Sequence, residues 1–332
     1  MAHGDYTVAI ICAIGFEMSA IRYLLDCEHP RLRTQPGDTN MYVLGELAGH
    51  NTVLACLPGS QGKSAAAHDI RLGDVVISMP EGQYGGVVQY DLGKDTEDDF
   101  RLKGFLVPPP SRLRSAVEMM KSDHLMAENK VNEFLSHMLQ KSPRLSIYAR
   151  PPPQLDILFE PDYPHPSDQA TCGRCDRARA VPRKARATSS PEIYYGLIAS
   201  GDRVVKAAHK RDAAVNNVGD ILCFEMEAAG IATEYSCIVL RGISDYGDSH
   251  KNNDWQHYAA AAAAGSAKEL LSYIDPEEPA PSPLPPSSTV PVRGGRDTPH
   301  VDGQRIQNSG SGNISFGRDN VTVGRDMHIS RH

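Results

Sequence analysis

No stretch of this 332-residue sequence approaches the roughly 20 consecutive apolar residues that span a bilayer. The longest apolar segment, residues 259–264 within 258–271, is alanine-rich and far too short, so no transmembrane helix is expected. Positive charge is not in excess either: 34 Lys and Arg stand against 41 Asp and Glu, a net charge of −7. No global field then draws the chain to nucleic acid or anionic lipid, which leaves a small molecule or a protein as the expected partner. A basic leader with a small-residue cleavage site is missing, since Met1 is followed almost at once by a strand-like run. Cysteine is sparse. Its positions (12, 27, 56, 172, 175, 223, 237) are odd in number and mostly set in apolar runs, the pattern of reduced cytoplasmic thiols rather than of a disulfide framework.

What is present is an interleaving of strand and helix patterns. Residues 6–13 (YTVAIICA) form a continuous β-branched run, as expected of a parallel strand buried on both faces. Glu17, Met18, Ile21, Leu24 and Leu25 then recur at helical spacing. Further strands are predicted at 41–47, 51–57, 74–79, 194–199, 221–224 and 237–243, and helices at 112–121, 130–140, 226–234 and 254–274. The alternation predicts an α/β domain over residues 1–275. Residues 142–191 interrupt it with two proline clusters, Cys172-Gly173-Arg174-Cys175 and a basic run at 177–186, and read as a long insert over the core surface. Residues 276–302 read as a Pro/Ser-rich linker and 303–332 as a tail.

Three acidic positions carry the chemistry. Phe224-Glu225-Met226-Glu227-Ala228-Ala229 lies between a strand and an apolar helix, and residues 239–243 end in Ser244-Asp245. Glu17 follows the end of the first strand. Each has an ordinary structural account: an acid near a helix N-terminus is favourable, and an Asp after a strand is often a helix cap. Together, on separate strand ends of a doubly wound sheet, they could converge on one crevice, where carboxylates divide proton donation from nucleophile activation.

These residues carry a resemblance. The order of residues 10–17 (IICAIGFE), 73–78 (GDVVIS), 196–202 (GLIASGD), 224–229 (FEMEAA) and 241–245 (RGISD) is similar to that of the nucleoside phosphorylase superfamily. Within it the motifs resemble the methylthioadenosine/S-adenosylhomocysteine nucleosidases and the related domains at the N-termini of fungal NACHT and ankyrin-repeat proteins. The resemblance implies a three-layer α/β/α fold with a mixed, mostly parallel central sheet. It also implies cleavage of the N-glycosidic bond of a purine nucleoside, no cofactor, and a homo-oligomer. By position it makes Asp245 the general acid toward purine N7 and Glu17 the carboxylate that activates water. It sets Met226 and Glu227 against the ribose, with Phe224 and Ser244 beside them, and Val204 and Val205 where the base is contacted. Water and phosphate both remain open as nucleophile. Cleaving this bond builds positive charge on the ribose and negative charge on the base, so an acid at the base and anions at the sugar both favour the transition state.

The chain departs from that pattern after residue 58. Only residues 58–71 separate the strand at 51–57 from the GDVV motif, too few for the helix, strand and Gly-rich loop that the resemblance calls for, so one helix–strand unit is expected to be missing. Gly59 to Ser64 lacks the spacing of a phosphate P-loop. Cys172 and Cys175 have zinc-ligand spacing and His165 could join them, but a closed tetrahedral site needs four ligands; no metal site is assigned, and His250 reads as a loop residue. The basic run reads as a solvated face.

Three functions stay in play: a nucleosidase or phosphorylase, a nucleoside-sensing or signalling module, and a truncated product without turnover. The second draws on the tail, where NISFGRD at 313–319 is followed by NVTVGRD at 320–326. Ile314, Phe316, Val321 and Val323 alternate with polar residues, and Asn313 and Asn320 sit at equivalent positions, a pattern suited to self-assembly as stacked cross-β rungs as well as to a solvated extension. A peptide of residues 303–332 is expected to assemble slowly into fibrils with diffraction spacings near about 4.7 and 10 Å, and replacing Phe316 and Val323 with Asp should abolish them. A wild-type peptide that stays monomeric even when seeded would leave the tail as a solvated extension.

Overall fold

The computed structural model describes residues 1–34, 36–57, 64–65, 69–97, 100–166 and 171–276, with 64–65 and 95 in backbone alone. The linker beyond 276 and the tandem repeat at 313–326 lie outside the described residues. Twelve strands are described: β1 Val8–Cys12, β2 Cys27–Glu28, β3 Tyr42–Leu47, β4 His50–Cys56, β5 Ser64–Ala65, β6 Val75–Ser78, β7 Val87–Gln89, β8 Gly93–Asp95, β9 Phe100–Leu102, β10 Ile193–Ser200, β11 Ile221–Glu225 and β12 Leu240–Gly242. The α-helices are α1 Gly15–Leu24, α2 Ser111–His124, α3 Val131–Gln140, α4 Ala208–Val218, α5 Ala228–Ala232 and α6 Gln256–Leu271.

The strands form two principal sheets. One has the order β1-β4-β3-β2; the other runs β12-β6-β10-β11-β5 with β7 also on β10. In the second sheet β6, β7 and β11 all lie parallel to β10, while β12 and β5 add antiparallel edges. β10 is long enough to serve two neighbours on one side: Ile193–Gly196 pairs with β6 and Ile198–Ser200 with β7. Every residue of β6 and β11 is buried, the signature of strands covered on both faces. Helices α1, α2, α3 and α6 share one side, where α6 packs on β6 and β12 and α1 on β1 and β4. On the other side α5 packs on β7, and Ala214, Val215 and Val218 of α4 lie against the buried cluster of Ile221 and Phe224. The result is the expected α/β/α layering with a mixed sheet that is parallel at its centre.

The first strand corrects its sequence reading. β1 pairs with β4 alone among the described residues, and its burial alternates, with Ile11 46% exposed. It is an edge strand, not one buried on both faces. The reason is the short connection after residue 58. Among the described residues no helix lies between β4 and β6, and the two-residue β5 adds to the far edge of the second sheet, beside Phe224 and Cys223. With no strand placed beside β1, the two sheets are not hydrogen-bonded to each other among the described residues. A single hydrophobic core, which takes Leu54 from one sheet, Ile77 from the other and Leu24 from α1, still joins them.

Other boundaries moved both ways: β10 and α2 run past the predicted 194–199 and 112–121, and other elements shrank. The strand predicted at 237–243 contracts to Leu240–Gly242, the helix predicted at 226–234 to Ala228–Ala232, and α4, with only Ala208 and Arg211 buried, was not foreseen. The larger correction concerns the basic run. Arg179 pairs with Glu160 and Asp162, Arg183 with Asp156, and Arg186 with Asp74. The last pair is bidentate, with 2.6 Å to each oxygen of a carboxylate that is buried immediately before β6. Asp74 also accepts hydrogen bonds from the backbone N–H of Arg71 at 2.7 Å and of Glu192 at 3.0 Å, so one carboxylate joins β6, the approach to β10 and the insert. Removing only the cation strands a buried charge. Arg186→Ala is therefore expected to cost about 3–5 kcal/mol in urea unfolding, whereas a loss below about 1 kcal/mol would class the pair with exposed surface bridges.

Candidate functional site

Past β12 the chain leaves the sheet but stays inside the protein. Ile243 continues the ladder by donating its N–H to the Asp74 carbonyl at 2.8 Å and accepting one from Gly73 at 2.8 Å. Gly242 lets this happen under α6. A Cβ there would stand 1.9 Å from the Ala259 carbonyl oxygen, so strand and helix backbones touch directly. The alanines at 259–262, all buried, provide the matching smooth face on α6. The following Ser244, Asp245, Tyr246, Asp248 and His250 are all buried in an irregular loop.

Asp245 is 4% exposed. Its Oδ2 lies 2.9 Å from Lys251 Nζ, and its Oδ1 accepts the Gly247 N–H at 3.0 Å. Ser244 Oγ donates toward Oδ2 at 3.4 Å. Burial pushes the carboxyl above its ordinary range, and the Lys251 charge and the Gly247 hydrogen bond pull it part of the way back. Ser244 and Asp245 line a cavity of about 230 Å³ whose opposite wall is the insert, including Phe159, Thr171 and Cys172. Asp248 lines it too, its carboxyl raised by burial while it accepts the His250 N–H at 2.9 Å.

The other predicted residues take different places. Glu17 stands in the first turn of α1, at the end of the four-stranded sheet, where Oε2 accepts the Ala13 N–H at 2.9 Å and closes the turn from β1. In FEMEAA the two acids divide. Glu225 is structural: its Oε2 accepts the N–H groups of Glu227 and Ala228 at 2.9 and 2.8 Å, satisfying the N-terminus of α5. Ser200 accepts the next one, from Ala229, at 2.9 Å. Glu227 instead lies beside Arg241 of β12, 3.5 Å apart with both side chains about 9% exposed, which joins the end of β11 to the strand that carries Asp245. Met226 between them is half-buried. Phe224 is a core residue, edge-on to Tyr90 at 5.3 Å, with Val205 packed against the same cluster, and Val204 is 44% exposed. Of the predicted set, Ser244 and Asp245 line the cavity together; Glu17, Phe224, Met226, Glu227, Val204 and Val205 lie outside its wall.

Sequence reading missed the residues that hold the Asp245 loop in place. Tyr246 OH donates to Asp156 Oδ1 at 2.5 Å and accepts from Arg183 at 2.6 Å, while Arg211 Nη1 donates to the Tyr246 carbonyl at 2.8 Å. His250, read as a plain loop residue, stacks on Phe159 with ring centroids 4.0 Å apart and joins His165, Cys172 and Cys175 in a group whose ligating atoms all lie within 4.8 Å of one another. That group adds a fourth candidate donor to the incomplete triad read from the sequence, and it comes from a loop 75 positions beyond Cys175. The available signal was the CxxC itself.

No family model matches the chain. A nucleotide-binding leucine-rich repeat (NLR)-like protein of Hyaloscypha variabilis is 36% identical over 309 residues, which are 83% of this chain and 30% of that protein. A 5'-methylthioadenosine/S-adenosylhomocysteine nucleosidase of Haemophilus ducreyi is 29% identical over 97 residues, 28% of this chain and 42% of the nucleosidase. The chain thus spans less than half the length of either relative. Among solved structures, the nucleosidase of the same name from Neisseria meningitidis, in complex with methylthio-immucillin-A, covers 80% of this chain and 99% of its own at 16% identity and a TM-score of 0.48. The chain is thus similar over most of its length to part of the fungal NLR-like protein, and over a shorter segment to the methylthioadenosine/S-adenosylhomocysteine nucleosidases.

Proposed function

We propose that this domain cleaves the N-glycosidic bond of a purine nucleoside with Asp245 as general acid. The observation that carries the reading is a buried carboxyl, raised by its burial, facing a cavity at the end of a β-strand. A proton donor for a purine must be protonated when the substrate is bound and must lose the proton readily as negative charge builds on the base. Burial shifts Asp245 toward the first condition, and Lys251 at 2.9 Å, which favours the carboxylate left behind, serves the second. Glu227 suits the sugar side, where a buried carboxylate accepts hydroxyl hydrogen bonds and opposes positive charge on the ribose, with Met226 packing on the ring. Arg241 stands beside it at 3.5 Å. Glu17 as activator of the nucleophile and Val204 and Val205 as base contacts rest on the motif resemblance, since they, like Met226 and Glu227, lie outside the cavity wall. The substrate class is that named for the nucleosidase relatives, 5'-methylthioadenosine and S-adenosylhomocysteine.

The protein incubated with methylthioadenosine, adenosine or inosine, with and without phosphate, should release free base, and release that depends on phosphate would identify phosphorolysis. Asp245→Asn should lower the rate by at least about 10²-fold. Absence of base under every combination would overturn the activity.

Stability supplies a second test of Asp245. A folded pKa above the unfolded one means that the folded state holds the proton more tightly. The carboxyl's contribution to stability is then full below the unfolded value of about 4 and is lost as pH rises through the folded value. Asp245→Asn keeps the shape without the charge, so its urea midpoint should gain on the wild type as pH rises from about 4 to 7. A constant difference across that range would mean that Lys251 and Gly247 compensate the charge fully.

A second reading rests on the match to the NLR-like protein, of which this chain spans 30%. In it the domain binds a nucleoside without turnover and the tandem repeat drives assembly. Nucleoside binding with no base release, together with fibril formation by the tail, would favour it.

A further inference from the structure

We propose that His165, Cys172, Cys175 and His250 hold a structural zinc ion that clamps the insert onto the loop carrying Asp245. The inference stands apart from the enzymatic reading, because it rests on four side chains that the glycosidic chemistry does not use. Their ligating atoms lie within 4.8 Å of one another, with Cys175 and His250 buried and the other two half-buried. Cys172 Sγ and Cys175 Sγ each stand 3.7 Å from His250 Nδ1. Metal–sulfur bonds of about 2.3 Å and metal–nitrogen bonds of about 2.0–2.1 Å at tetrahedral angles separate neighbouring ligand atoms by about 3.3–3.8 Å. Two of the six distances are therefore already those of a zinc tetrahedron, and the others exceed its edges by no more than about 1.5 Å.

Protons alone would hold the arrangement only through weak thiol hydrogen bonds, Cys172 Sγ also standing 3.7 Å from the His250 carbonyl oxygen. His250 Nε2 lies 2.9 Å from the Tyr163 carbonyl oxygen, which can only accept, so Nε2 carries the ring proton and Nδ1 presents its single lone pair. That lone pair faces two sulfurs and can accept from one thiol. A divalent cation satisfies both sulfurs and both rings at once. Its binding releases the two thiol protons, and two thiolates then balance its charge, leaving a neutral buried centre. Two soft sulfurs with two imidazoles suit zinc over magnesium or calcium, and four protein ligands with no open position make the site structural.

The surroundings are built as such sites are. The Tyr163 carbonyl fixes the His250 tautomer, Phe159 stacks on the ring at 4.0 Å, and the Ser249 hydroxyl accepts the His165 N–H at 2.9 Å, interlocking the two segments. His165 and both cysteines come from the insert and His250 from the loop only five positions after Asp245. An ion there would tie the cavity's two walls together.

The test uses the full chain. Protein exposed to zinc under reducing conditions and desalted should retain about one zinc per chain by elemental mass spectrometry. Cobalt(II) in its place should give the strong visible bands and the sulfur-to-metal charge transfer of tetrahedral thiolate coordination. The double variant Cys172→Ser, Cys175→Ser should lose both signals, and His165→Ala should surrender metal to a competing chelator sooner than wild type. Stripping zinc from the wild type should lower its melting temperature, and zinc returned should restore it. Should the cysteine variant fail to fold, the wild-type stoichiometry and cobalt spectrum still decide. Wild-type protein that retains no zinc and shows no cobalt charge transfer overturns the proposal, as does an intact mass lighter by the two hydrogens of a Cys172–Cys175 disulfide in protein kept reduced.

Discussion

A buried loop without regular secondary structure must find a partner for each of its polar groups, and the rest of this molecule is arranged around one such loop. Residues 244–250 are polar, irregular and almost wholly buried. Their needs are met from every side: Asp245 by Lys251 and Gly247, Tyr246 by Asp156, Arg183 and Arg211, and His250 by Tyr163 and Asp248. Most of these partners belong to the insert or to the loop itself. Without the insert the loop would face solvent, the Asp245 carboxyl would return toward its ordinary range, and the cavity would lose a wall. The insert is thus a part of the site, and its Arg183 and Arg186 face inward because Asp156 and Asp74, the carboxylates they neutralise, are largely buried.

The same logic reaches the frame beneath. Asp74 is buried, bonded to Arg186 and to two backbone N–H groups, and its carbonyl receives the Ile243 N–H on the way to Asp245. One residue therefore registers the insert, the start of β10 and the exit of β12 against one another. On the other side of β12 the contact is apolar and close, Gly242 against the Ala259 carbonyl, which only a small-residue strand and an alanine-rich helix permit. The short connection after β4 leaves two sheets with no hydrogen bonds between them among the described residues. Helices α1 and α6, which pack on each other and each on its own sheet, bridge them instead. The cost falls on β1, whose apolar residues were suited to burial on both faces and whose outer face is now partly exposed.

Much of the frame was readable in the sequence because its signals are local. Runs such as 75–78 and 221–224 are apolar at every position, and a strand buried on both faces follows from that pattern alone. Helix α3 announces itself by Val131, Leu135 and Met138 on one face. Where the pattern was weak the reading failed: α4 buries little and carries few apolar residues, and β7 to β9 are too short to show a period. Asp245 was legible by its position after a strand, whereas the division of labour between Glu225 and Glu227 was not. Both are acids at the same junction, and which one caps α5 depends on where each carboxylate points once β12 brings Arg241 alongside.

The sequence by itself determined the α/β alternation, the family that the motifs resemble and the candidate acid at residue 245, because each is written in contiguous residues whose period or order survives without a partner. Only the tertiary structure decided what depends on residues far apart in the chain. It turned Arg183 and Arg186 of a basic run that looks solvated toward buried carboxylates, made β1 an edge, and brought His250 to Cys172 and Cys175 across more than 70 positions. Charge, burial and ligand number are properties of a place in space, and the chain sets that place only by folding the insert down onto the loop.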